Sequence, residues 1–160
     1  MQSVTVIAVG GLKEKYFRDA VDEYKKRLGG ASRVSEIEIK EEKLQSAPSE
    51  LQIRSALDFE AERIIASIPK RSFVISMCIE GKLLSSEELA AVIDRAATDG
   101  NPSVTFIIGS SHGLSERVKN ISDLRLSMSR MTFPHKLARV MLFEAIYRSA
   151  EINAGGKYHK

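Results

Sequence analysis

Disulfide stapling, paired-cysteine zinc ligation and membrane spanning are all excluded by what this chain lacks. Its 160 residues hold one cysteine, Cys78, so no internal disulfide can form. Three histidines, His112, His135 and His159, stand without paired cysteines and give no zinc-ligand spacing, so no metal is expected. Tryptophan is absent, proline occurs four times and aromatic residues make up 6%. The apolar run at residues 4–9 is strand-sized and reaches Gly10-Gly11 without a charged leader or a cleavage site. Nothing approaches the roughly 20 apolar residues of a membrane helix. A soluble chain in a reducing compartment, most simply the cytoplasm, is expected. Phosphate-binding loops are missing too. Gly10-Gly11 lacks the G-x-G-x-x-G spacing, and Gly81-Lys82 is followed by Leu83 and has Ser76 where a P-loop needs its first glycine.

What is present is alternation. Hydrophobic residues at 43% over this length suit one well-buried core and one domain, residues 1–160. A buried strand is expected at 3–9, a helix at 12–28 ended by Gly29-Gly30, and a strand at 34–39. Residues 40–49 read as an exposed, mobile connection, followed by an amphipathic helix at 51–68. A strand at 73–79, closed by Glu80-Gly81-Lys82, precedes a helix that Ser85 and Glu88 can cap reciprocally. A strand at 103–108, a short helix from about Ser115, a strand at 124–126 and a helix from Pro134 to about Asn153 complete the series. Strands alternating with helices predict the α/β class: a mostly parallel sheet with helices on both faces. Cys78 and the strand around Phe73 read as core. Ligands in such sheets collect beyond the carboxyl ends of the strands, where the loops after Ile79, Ile108 and Leu126 should meet.

Three features of the last third carry chemistry. The run Leu126-Ser-Met-Ser-Arg-Met-Thr-Phe-Pro-His135 leaves a strand and enters a helix that Thr132 can cap, with Pro134 in its first turn. Such a turn leaves backbone N–H and C=O groups unpaired, available to a small ligand. From Ser115 onward nine Lys or Arg stand against four acids, while the first 114 residues sum to −2. That distribution suits either a polyanionic partner such as RNA or an ordinary solvated helix face. Finally, Asn153-Ala-Gly-Gly156 precedes Lys157-Tyr-His-Lys160, a tail that either frays or folds over a site, where Tyr158 could stack on a base and the lysines meet phosphate.

Several motifs in order are similar to one family. Ile107-Ile108-Gly109-x-x-x-Gly113-Leu114, the Leu126 to His135 run, Tyr147-Arg148 and the terminal Tyr158-His159-Lys160 resemble the RlmH family. So do Ala8-Val9-Gly10-x-Leu12-Lys13-Glu14-Lys15-Tyr16 and Ile79-x-Gly81-Lys82, so the likeness runs the length of the chain. These are SPOUT-class methyltransferases acting on a pseudouridine in a hairpin loop of large-subunit (23S) ribosomal RNA. The resemblance implies an α/β domain with a C-terminal trefoil knot, S-adenosylmethionine as donor, and a homodimer in which one subunit's tail completes the other's site. It assigns donor contacts to Met77, Gly109, Met128, Ser129, Arg130, Met131, Thr132 and Phe133. The family commonly has leucine at the place of Met77 and a second glycine at that of Ser110.

The acceptor would be the pseudouridine N3, an imide nitrogen that must lose its proton as the methyl group arrives. His135, Arg139, Glu144, Tyr158 and His159 are the candidate reacting-site residues, with roles unassigned. Glu144 and Arg148 are also spaced for an intrahelical ion pair. Arg148, Lys157 and Lys160 are the expected RNA contacts. A non-catalytic ribosome-binding or assembly factor is the alternative, and a small flavin or nucleotide module is a third reading.

Overall fold

In the computed structural model, residues 2–159 are described. Ten elements alternate along them: β1 (Ser3–Val9), α1 (Lys15–Leu28), β2 (Arg33–Ile39), α2 (Glu50–Ser67), β3 (Ser72–Leu83), α3 (Ser86–Thr98), β4 (Ser103–Ile108), α4 (Glu116–Asn120), β5 (Leu124–Ser127) and α5 (His135–Asn153). The strands form one five-stranded sheet in the order β2-β1-β4-β3-β5, and every neighbouring pair is parallel. Strands buried on both faces need no polar alternation, which is why β4 is apolar at four of six positions and buried at all six.

The alternation of side chains across the strands divides the core in two. Val4, Val6 and Ala8 of β1 join Phe106 and Ile108 of β4 under α1, α3 and α5. Ile7 and Val9 of β1 join Ile107 of β4 under α2 and α4, where Ala61, Ile64 and Val118 cover them. The first layer is the larger. Leu142, Phe143 and Ile146 of α5 are almost wholly buried in it, each contributing roughly 1.5–3 kcal/mol of transfer free energy. Asn153 Nδ2 donates to the Ala90 carbonyl at 3.0 Å and ties the end of α5 to α3.

Local chemistry explains most boundaries. Ser49 with Gln52 and Ser85 with Glu88 form reciprocal capping boxes at the starts of α2 and α3. Ser115 Oγ accepts from the Arg117 N–H at 3.1 Å and starts α4. Three expectations need correction. β3 does not close at Glu80 but runs on to Leu83. Pro134, not Thr132, is the N-cap of α5, with φ −54° and ψ 138° and no side-chain cap. Helix α1 begins at Lys15, because residues 12–14 approach it in non-helical conformation. Residues 40–49 contain no helix or strand, and the Glu42 N–H donates to the buried Glu60 carboxylate at 2.9 Å. Cys78 is only half-buried, and burial pushes its thiol above the ordinary range.

Candidate active site

The carboxyl ends of β3 and β5 meet over a glycine. β3 pairs with β5 through residues 75–77, breaks register, and pairs again through Lys82 and Leu83. Between these segments a Cβ on Gly81 would lie 2.6 Å from the Leu126 carbonyl carbon, so only glycine lets the two backbones approach this closely. Beside this junction lies a cavity of about 270 Å³. Met77 of β3, Leu126 of β5 and Met128 beyond it line one part; Leu89 of α3 and Leu142 and Glu144 of α5 line another. The site is therefore apolar with one carboxylate on its wall.

Glu144 is held from its own helix and from the tail. Arg148 donates to Glu144 Oε1 from Nε at 2.9 Å and from Nη2 at 2.5 Å. The Tyr158 hydroxyl donates to the same oxygen at 3.3 Å. The ion pair raises the Arg148 pKa further, and burial raises that of Tyr158. Arg148 lies over the Tyr158 ring, 4.8 Å from its centroid, and Tyr158 packs edge-on against Tyr147 with centroids 4.7 Å apart. His159 meets Arg148 Nη1 through Nδ1 at 3.2 Å and Glu87 through Nε2 at 2.6 Å. That hydrogen bond holds the Glu87 carboxyl below its usual range. The tail is thus folded onto α5 and the first turn of α3 rather than fraying.

The structure brings Met77, Met128, Glu144, Arg148, Tyr158 and His159 together. It places others elsewhere. Arg139 is 2% exposed and donates to Glu38 at 2.7 Å and to the Gly10 carbonyl at 2.8 Å, at the β1–β2 side of the sheet. His135 opens α5 and is half-buried. Gly109 is demanded by its own turn: a Cβ there would collide with the Gly113 carbonyl, and Ser110 bridges to Gly113 in the same turn. Neither Gly109 nor Ser110 lines the cavity. In the turn after β5, Ser127 Oγ donates to the Ser129 carbonyl and the Met131 N–H to Ser129 Oγ, each at 3.0 Å. Among the described residues, the N–H groups of Ser129, Arg130, Thr132 and Phe133 have no protein acceptor. The side chains of Arg130, Met131 and Thr132 are exposed, and that of Phe133 is half-buried. Lys157 is exposed, and Lys160 lies outside the described residues.

Leu84, Ser85, Ser86, Leu89, Met141 and Ala145 border the cavity without having been expected there from the sequence. The Ser85–Glu88 capping signal marked the start of α3 but not that this start faces a ligand site. Among the described residues no group of three or more metal-ligating side chains occurs, and no helix is long and apolar enough to cross a membrane.

A parallel sheet with a cavity beyond the carboxyl ends of its strands is the setting in which such folds bind small molecules. The profile described as "Predicted SPOUT methyltransferase" matches residues 2–159, so the fold class is that of the SPOUT methyltransferases. A protein of Oenococcus oeni is 43% identical over 160 residues, 100% of both chains, and one of Clostridium acetobutylicum is 45% identical over 158 residues, 99% of both. Each is named ribosomal RNA large subunit methyltransferase H. A Methanococcus maripaludis protein is 48% identical over 158 residues, again 99% of both chains. The chain belongs to this methyltransferase H family of SPOUT enzymes, the RlmH family that its motifs resemble.

Proposed function

We propose that this chain is a single SPOUT-type domain, residues 1–160, with a C-terminal trefoil knot. It transfers the methyl group of S-adenosylmethionine to N3 of a pseudouridine in a hairpin loop of large-subunit ribosomal RNA. The observation that carries the reading is the cavity between β3, β5, α3 and α5, with Glu144 on its wall and the folded tail hydrogen-bonded to Glu144. Its 270 Å³ lies just below the roughly 300–1,000 Å³ of small-molecule sites, enough for the nucleoside end of the donor. Met77 and Met128 would flank that end. The unpartnered N–H groups of Ser129, Arg130, Thr132 and Phe133 would meet its polar edges, in the manner of a base-binding turn. Gly109 would act through the turn it closes.

When bound, the donor supplies a methyl group on a positively charged sulfur, which an in-line nucleophile displaces. The chain's task is to hold the acceptor nitrogen in line and manage its proton. Three donors converge on Glu144 Oε1, which leaves Oε2 without a described partner and free to receive the imide proton. Arg148, fixed by Glu144, His159 and the Tyr158 ring, is a preorganised cation that favours the imide anion. Tyr158 and His159 position that pair.

The functional unit in this reading is a cytoplasmic homodimer acting on assembled ribosomes. Sedimentation showing a monomer at micromolar concentration would remove the dimer from it. The experiment for the activity is incubation of labelled donor with free large-subunit RNA, large subunits and whole ribosomes, each with and without the pseudouridine, followed by mapping of the label. Incorporation at N3 that requires pseudouridine is expected. Ribosome binding with no incorporation would instead favour an assembly factor.

A further inference from the structure

The turn after β5 has an inner and an outer side, and the outer side is chemically distinct. Of the Lys and Arg described from residue 115 on, Arg117, Lys119, Arg125, Lys136, Arg139 and Arg148 each have a carboxylate within 4.0 Å. Arg130 and Lys157 have none among the described residues. Both stand close to the cavity without lining it. Arg130 is two residues past Met128, which lines it, and Lys157 precedes Tyr158, whose hydroxyl rests on the lining residue Glu144. Next to Arg130, Met131 is 71% exposed, an apolar surface beside an uncompensated cation.

We propose that Arg130 and Lys157 grip phosphates of the RNA strand that presents the target base, with Met131 covering the face of an unstacked neighbour. The side chains of residues 130–131 then form the acceptor surface, and only their backbone belongs to the donor pocket. This inference rests on the proposed RNA methyltransferase function. Charge already paired within the fold releases fewer counterions from RNA, so these two unpaired cations beside the cavity add to the salt dependence. Apolar surface beside it suits a splayed base rather than an acidic protein patch.

The test measures binding of large ribosomal subunits by sedimentation at several salt concentrations, and of S-adenosylhomocysteine by calorimetry, for wild type, Arg130→Gln, Lys157→Gln and the double variant. Each single substitution should reduce the magnitude of the negative slope of log affinity against log salt by about 0.7, and the double variant by about twice that. S-adenosylhomocysteine affinity should stay within about twofold in all four. An unchanged slope in the variants, with wild-type subunit binding intact, overturns this inference alone. A loss of S-adenosylhomocysteine affinity in Arg130→Gln with no slope change returns the side chain to the donor pocket and also overturns it. Wild-type protein that binds neither subunits nor S-adenosylhomocysteine defeats the functional proposal itself.

Discussion

Two halves of one helix carry similar residues to different ends. In the first half of α5, Arg139 is buried against Glu36, Glu38 and the Gly10 carbonyl, and Lys136 reaches both oxygens of Glu14 at 2.9 Å. In the second half, Glu144 and Arg148 face the cavity and the tail. Nine residues separate Arg139 from Arg148, two and a half helical turns, so the two guanidinium groups point to opposite sides. Register decides their roles, not residue type. One arginine fastens the helix to the sheet, and the other is available to chemistry.

The sharpest way to break this contrast is Arg139→Ala. Glu36, only 5% exposed at its side chain, would keep Arg18 and Lys25 but lose its third cation. Burial opposes the charge of Glu38, and Arg139 together with Arg18 more than offsets it, holding that carboxyl below its usual range. Removing one partner of a buried ion pair costs about 3–5 kcal/mol, and the remaining cations favour the lower end. Urea unfolding should show that loss, while S-adenosylhomocysteine affinity of the folded fraction stays unchanged. A variant as stable as wild type would refute the fastening role.

Arg148→Ala should do the reverse. Its partly exposed pair with Glu144 contributes about 1 kcal/mol or less to stability. In the proposed mechanism Arg148 supplies a preorganised charge at the reacting nitrogen, and its loss should lower kcat by about 10²-fold. Normal turnover would mean that both halves of α5 are structural. Gly81→Ala tests the floor beneath them. The β3–β5 junction must open to admit a methyl group, at a cost of about 1–3 kcal/mol. Donor affinity should fall with it, measurable by calorimetry.

The order of elements and the parallel sheet were legible in the sequence because β1 and β4 are continuous apolar strands and the helices between them carry caps or periodic faces. Gly81 was misread for a physical reason. Glycine after a strand ordinarily signals a turn, whereas here it is required by a backbone crossing its neighbour, a tertiary fact with no local signature. The basic end was legible only in part. Several of its cations pair with Glu14, Glu36, Glu38, Glu62 and Glu80 from the first half of the chain, which leaves fewer of them free for a polyanion than the sequence count suggests. Arg139 and Glu144 were equally plausible by type, and only the packing of α5 separates them.

The smallest effect belongs to a buried charge with no such array of counterions. Glu60 of α2 is 3% exposed; burial, reinforced by Glu41 and Glu42 and opposed by the Glu42 N–H and Arg63, raises its pKa above the ordinary value. A raised folded-state pKa means that the fold binds the proton more tightly than the unfolded chain does. The stabilisation is therefore complete below the unfolded value of about 4.3 and is lost as pH rises through the folded value. Glu60→Gln keeps an oxygen for the Glu42 N–H but cannot ionise. Its urea midpoint relative to wild type should accordingly rise between pH 4.5 and pH 7, by the equivalent of about 1 kcal/mol or less. Parallel pH profiles for the two proteins would show that Glu60 ionises without penalty, and the distinction between Arg139, buried with its counterions, and an acid buried nearly alone would collapse.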